Sequence, residues 1–227
     1  MFRDQHGWQR EYEKRDSLFI HDGNPLRPHP LLTLGNHSND FFDSRAIIAD
    51  ETLLREATAD LTEIFLKQCQ DPLKVHGVVG PKTGATKLAE FISIRLFAQT
   101  HINCFWASPA KTENQGVKSM VFAPEEHRLL PRSRVLLCDD VLNTAGSVEM
   151  AGTATMNAGA TVLPFILVLV NRSTLTEVNG KKIIALINRA TPTCTPEECL
   201  KNGLCSLGSK AIRPKEGENW KLLTADY

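Results

Sequence analysis

Val135-Leu136-Leu137-Cys138-Asp139-Asp140-Val141-Leu142-Asn143-Thr144-Ala145-Gly146-Ser147 decides how this 227-residue chain is read. Four apolar residues make a buried strand, which ends in two adjacent carboxylates. A small-residue turn, Thr144 to Ser147, then opens a helix. A buried parallel strand delivers polar groups to the carboxyl edge of its sheet, where open α/β folds bind ligands. The turn leaves backbone N–H groups unpaired at the positive end of the helix dipole, an arrangement that suits a phosphate. Asp139 and Asp140 repel phosphate and match the hydroxyls of a sugar instead. The stretch therefore predicts one site for a sugar phosphate.

Outward from it, the pattern alternates. Leu53, Leu54, Ala57, Leu61, Ile64 and Phe65 recur at three- and four-residue steps, so a helix is expected from Asp50, its N-cap, to Gln70. Val75 to Val79 reads as a short buried strand, Thr83 to Phe97 as the next helix, and Asn103 to Ala107 as a second strand. Residues 108–131 lose regular pattern and make a long connection, which signals function or mobility. Further strands are expected up to Val170 and over Lys182 to Ile187. Alternating strands and helices predict an α/β fold, a mostly parallel sheet flanked by helices. We expect a polar N-terminal extension over residues 1–20 and one domain over 21–227. Its sheet core spans about 50–190, with a small hood from about 21–49 and a C-terminal tail of about 191–227.

Twenty-six basic and twenty-six acidic residues cancel, so no broad electrostatic footprint for nucleic acid or an anionic membrane is present. The amino terminus lacks the apolar core of a signal peptide. The longest apolar stretch, Ala160 to Val170, is far shorter than the ~20 residues of a membrane span. Six scattered cysteines, three of them within expected core elements, suit a reduced cytoplasmic protein. Cys194, Cys199 and Cys205 have spacings that match zinc-ligand pairs poorly, and His21, His29 and His37 lie far away in sequence. Ordinary free thiols are the expectation.

The acidic stretch resembles the phosphoribosyl-pyrophosphate (PRPP) motif of type I phosphoribosyltransferases. Other segments narrow the resemblance to orotate phosphoribosyltransferases. His29-Pro30-Leu31-Leu32-Thr33-Leu34-Gly35-Asn36-His37-Ser38-Asn39-Asp40-Phe41-Phe42-Asp43 is similar to that family's amino-terminal segment. Val78-Val79-Gly80-Pro81-Lys82-Thr83-Gly84-Ala85 is similar to its pyrophosphate loop, and Val170-Asn171-Arg172-Ser173 stands where relatives carry Val-Asp-Arg. Pro196-Glu197-Glu198-Cys199 and Arg213-Pro214-Lys215 resemble carboxyl-terminal elements of one branch.

The resemblance implies a type I phosphoribosyltransferase fold and a reaction: orotate and PRPP give orotidine 5′-monophosphate and pyrophosphate, with Mg²⁺ carried through PRPP and no direct protein ligand to the metal. It implies that Asp139 and Asp140 face the ribose, that Asn143, Thr144, Ala145, Gly146 and Ser147 take the 5′-phosphate, and that Lys82, Thr83 and Gly84 lie on pyrophosphate. Orotate would meet Phe41, Phe42, Thr144 and Arg172, whose guanidinium fits a carboxylate with two prongs. A lid lysine, Lys111 or by a shifted loop Lys118, would complete catalysis with the two aspartates. The chain departs from the family's Arg-Lys pair, carrying Ala107 and Ser108 there, and has Thr33 and Ala85 where relatives have lysine and glycine. A homodimer is implied, its lid reaching the neighbouring site. A transferase for another base and a PRPP-sensing regulatory protein are the competing readings.

Overall fold

Asp50 begins the first long helix as its composition demands: the carboxylate accepts the Leu53 N–H at 3.0 Å and caps Glu51–Gln68. The computed structural model describes residues 2–69 and 74–227, so the expected helix end at Gln70 lies outside the described residues. The chain divides into two units: the larger is residues up to Trp8 with Ser44–Arg189, and the smaller is Gln9–Asp43 with Ala190–Tyr227.

The larger unit is built on a six-stranded sheet. Across it run Glu177–Val178, Lys181–Asn188, Thr161–Asn171, Arg134–Leu142, Gly77–Val79 and Phe105–Ala107. All neighbours are parallel except the first pair, an antiparallel edge. Parallel strands covered on both faces read as continuous apolar runs. Val135, Leu136, Leu137 and Cys138 are accordingly all buried beside Ile166, Leu167 and Val168. Thr86–Thr100 and Gly146–Asn157 are the helices that follow the Gly77 and Arg134 strands. This is the α/β architecture expected, with strands and helices in the expected order.

Two expectations need correction. The segment expected as a polar N-terminal extension carries regular structure in its described residues: Gln5–Glu13 is a helix, and Leu18–Ile20 is a strand. Trp8 and Tyr12, four residues apart on one helix face, are both 1% exposed, and the Trp8 indole donates to the buried Asp60 carboxylate at 2.9 Å. Residues 108–131 are not irregular either. Ala110–Asn114 and Val117–Val121 pair as an antiparallel hairpin, and Pro124–His127 is a short helix. The hairpin turns on two residues, Gln115 (φ +50°) and Gly116 (φ +79°), the positive-φ pair that matches strand twist.

The smaller unit consists of short pieces. Leu18–Ile20 pairs antiparallel with Asp40–Phe42, His37–Ser38 with Thr193–Cys194, and His29–Pro30 parallel with Ala211–Ile212. Thr195 caps the Pro196–Asn202 helix, accepting from the Glu198 N–H, while the Glu198 side chain accepts from the Thr195 N–H. Large buried apolar residues are few here: Tyr12, Phe19, Leu32, Phe42 and Leu223 carry most of the core.

Candidate active site

The acidic strand places its two carboxylates differently. Asp139 sits opposite Val168 in the sheet and is buried, whereas Asp140 is half-buried. The Asp140 N–H donates to Asp139 Oδ1 at 2.9 Å, and the Val141 N–H donates to Asp140 Oδ1 at 2.8 Å. These bonds hold both side chains at the carboxyl edge. Burial first, and then the neighbouring Asp140 charge, push the Asp139 carboxyl well above the usual carboxylate range. The charge of Lys111 opposes that shift.

The turn into the next helix follows directly. Ala145 is buried in the left-handed region (φ +60°), which ends the strand sharply and starts the Gly146–Asn157 helix. No side chain caps that helix, so its first N–H groups stay available. Thr144 is exposed and Ser147 half-buried at the rim, with Asn143 half-buried beside them. The left-handed residue is thus Ala145 and not the neighbouring Gly146.

The loop after Gly77–Val79 lies across from the carboxylates. A side chain at Gly84 would meet the Asp140 carboxylate, with its Cβ 3.1 Å from Oδ1 and 3.2 Å from Oδ2. A larger residue there would make the loop or the Asp140 carboxylate give by a few tenths of an ångström. Lys82 and Thr83 are exposed on the same loop. Ser108 secures it: its hydroxyl donates to the Gly80 carbonyl at 2.6 Å and receives the Thr86 hydroxyl at 2.7 Å, and its N–H donates to Glu126 Oε1 at 2.9 Å. Sequence reading gave Ser108 only the role of a missing cation and gave Glu126 none. Their polar bonds arise between segments, so no local pattern announces them.

The hairpin register distinguishes Lys111 from Lys118. Lys111 faces Met120 and Glu113 faces Lys118, so all four share one face of the hairpin, with Met120 buried in the core. Lys111 lies at the Met120 end, and Lys118 lies next to the turn. Arg172 follows the strand beside the acidic one: its N–H donates to the Leu142 carbonyl at 2.9 Å, and its side chain is buried. Phe41 and Phe42 belong to the smaller unit. Phe42 is spent on packing, 1% exposed with its ring 5.3 Å from Tyr12, while Phe41 is half-buried beside Trp220, with Lys215 over its face.

Parallel sheet order, an acid pair at the carboxyl edge, an uncapped helix start and a loop pressed to the second acid define the class: the chain has the type I phosphoribosyltransferase fold. A solved orotate phosphoribosyltransferase from Aeropyrum pernix superimposes with a TM-score of 0.56 at 22% identity, over 85% of this chain and 95% of that one. In sequence, the chain is similar to particular members of that class. The orotate phosphoribosyltransferase of Desulforamulus reducens is 26% identical over 197 residues, which cover 87% of this chain and 93% of the relative. That of Pelotomaculum thermopropionicum is 28% identical over 207 residues, covering 87% and 94%. No protein-family model matches the chain.

Proposed function

We propose that this chain is an orotate phosphoribosyltransferase, joining orotate to the ribose of PRPP with release of pyrophosphate in pyrimidine synthesis. The observation that carries the reading is the Asp139–Asp140 pair beside both Gly84 and the uncapped start of the Gly146–Asn157 helix. One edge thereby offers acceptors for a sugar's hydroxyls and donors for its phosphates. Relatives that match over most of the chain are orotate enzymes, which favours orotate over another base.

In this reading the Gly146–Asn157 helix start, with Asn143, Thr144, Ala145 and Ser147, holds the 5′-phosphate, and Asp140 orients the ribose by accepting its hydroxyls. Breaking the C1–oxygen bond builds positive charge on the sugar and negative charge on the leaving group. Catalysis therefore consists of holding reactants in line and stabilising the diphosphate. Lys82, Thr83 and Gly84 bind the diphosphate, and Lys111 on the hairpin adds charge while covering the edge against water. Arg172 pairs with the carboxylate of orotate. Asp139, Asp140 and Thr144 offer only oxygen donors, the set a hard dication accepts. Mg²⁺ would be held mainly through PRPP and water, and supplies neutralisation of the leaving diphosphate.

We place the enzyme in the cytoplasm, in keeping with its six cysteines, none of which forms a disulfide. Among the described residues no helix is long and apolar enough to cross a membrane. We also infer a homodimer. Exposed Ile94, Phe97 and Trp106, on the last helix turns and edge strand at the open side of the sheet, support an association surface.

The test is pyrophosphate release from PRPP, with and without orotate and Mg²⁺. Turnover should require both, and the Asp139→Asn, Asp140→Asn double variant should lose it by orders of magnitude. Lys111→Ala should lower kcat by about a hundredfold, a loss in the range of a well-placed electrostatic group, while Lys118→Ala leaves it nearly unchanged. Turnover with another base and none with orotate would overturn the substrate and retain the class.

A further inference from the structure

In the smaller unit, His29 and His37 converge with Cys199 and Cys205, their ligand atoms all within 4.8 Å of one another. We propose that these four side chains form a closed tetrahedral Zn²⁺ site that fastens the amino-terminal and carboxyl-terminal segments of this unit together. The proposal rests on these residues alone and does not depend on the transferase reading.

The distances fit the metal. Zinc bound by imidazole nitrogen at about 2.0–2.1 Å and thiolate sulfur at about 2.3 Å sets tetrahedral edges of about 3.6 Å between nitrogen and sulfur and about 3.3 Å between two nitrogens. Cys199 Sγ and Cys205 Sγ each lie 3.6 Å from His29 Nε2, and Cys205 Sγ lies 3.4 Å from His37 Nδ1. His29 Nε2 and His37 Nδ1 are 2.9 Å apart, so the rings need part by only a few tenths of an ångström to admit the ion.

The surroundings orient the ligands. Ser209 Oγ donates to the Arg27 carbonyl at 2.6 Å, so its remaining role toward His29 Nδ1, 2.8 Å away, is that of acceptor. That keeps the proton on Nδ1 and leaves the Nε2 lone pair aimed at the cluster, as an outer-shell partner does for a metal-bound histidine. The Cys205 N–H donates to Cys199 Sγ at 3.3 Å, a bond that favours thiolate. His29, His37 and Cys199 are buried, and a cavity of about 320 Å³ lined by His29, His37, Cys194 and Cys199 gives a route in.

The chemistry also explains why polar groups fill the place of a core. A unit with so few large apolar side chains gains little from burial, and small domains of this kind use a metal as a staple. Zinc here would close a loop between residues 37 and 199, lowering the entropy of the unfolded chain. The set offers two nitrogens and two sulfurs with no position left for water, so the site is structural. Sequence spacing spoke for free thiols because the two pairs come from opposite ends of the chain.

The experiment uses the full chain, purified without a histidine tag and under reducing conditions, with metal content measured by mass spectrometry. We expect roughly one zinc per chain, falling to near zero in Cys199→Ser and Cys205→Ser, with Cys104→Ser as a control that keeps it. Chelation should lower the melting temperature, and added Zn²⁺ alone should restore it. If the variants fail to fold, Co²⁺ titration of the chelated wild type still decides: intense tetrahedral bands with sulfur-to-metal charge transfer support the site. Weak octahedral bands, no zinc uptake by the reduced protein, zinc retained by Cys205→Ser, or a native Cys199–Cys205 disulfide would each overturn it.

Discussion

Asp140 and Gly84 illustrate how one absent side chain protects another's position. A methyl at Gly84 would sit 3.1 Å from Asp140 Oδ1, so Gly84→Ala must displace either the loop or the carboxylate. The position is exposed and its φ is not in the left-handed region, so the fold should tolerate the change. The shift needed is a few tenths of an ångström, well short of the ~1 Å misplacement that costs on the order of a hundredfold in rate. We expect kcat/KM for PRPP to fall by roughly tenfold or less with the melting temperature nearly unchanged, as steady-state kinetics and calorimetry on one sample will show. Asp139 carries a different cost. Its folded-state pKa is raised by burial and by Asp140, so between the unfolded and folded values the native state holds the extra proton and stability falls as pH rises. Asp139→Asn resembles the protonated acid at every pH. The variant, without ligand, should melt above wild type at neutral pH and converge with it in acid, while losing activity. Equal melting temperatures at neutral pH would refute the assignment.

At the scale of elements, the carboxyl edge of the sheet is held by connections. Ser108 ties the Gly80 carbonyl, the Thr86 hydroxyl and Glu126 into one knot behind the loop that follows Gly77–Val79, and both Ala107 and Ser108 are fully buried. A lysine or arginine at 108, as in the family's Arg-Lys pair, has no room here. Ser108→Lys should therefore destabilise the chain by several kcal/mol, the order expected for an ill-paired buried charge, measured by urea unfolding; a neutral outcome would show that the strand end rearranges. The long helix and the acidic strand were legible because apolar periodicity and a capping Asp50 are local signals. The hairpin was not. Its strands, Ala-Lys-Thr-Glu-Asn and Val-Lys-Ser-Met-Val, carry mostly polar residues, and Gln-Gly is a weaker turn signal than Asn-Gly. Its pairing supplies what its composition does not. Trp8 and Tyr12 did carry a signal, an apolar pair at helical spacing, but too short a one to outweigh the charges around it.

For the whole molecule, composition and pattern by themselves determined the class: an α/β chain with a mostly parallel sheet, its acid pair and glycine loops set where strands end. Those properties follow from intervals of two to four residues, which backbone geometry converts directly into faces and edges. Tertiary structure alone decided which groups meet. It pressed Gly84 to Asp140, set Lys111 opposite the buried Met120 and made Ser108 an anchor. It also gathered His29, His37, Cys199 and Cys205, from positions more than a hundred residues apart, around one point. The physical reason is that hydrogen bonds, charges and coordinate bonds act over a few ångströms of space. Separation along the chain is silent about such distances until the strands have paired.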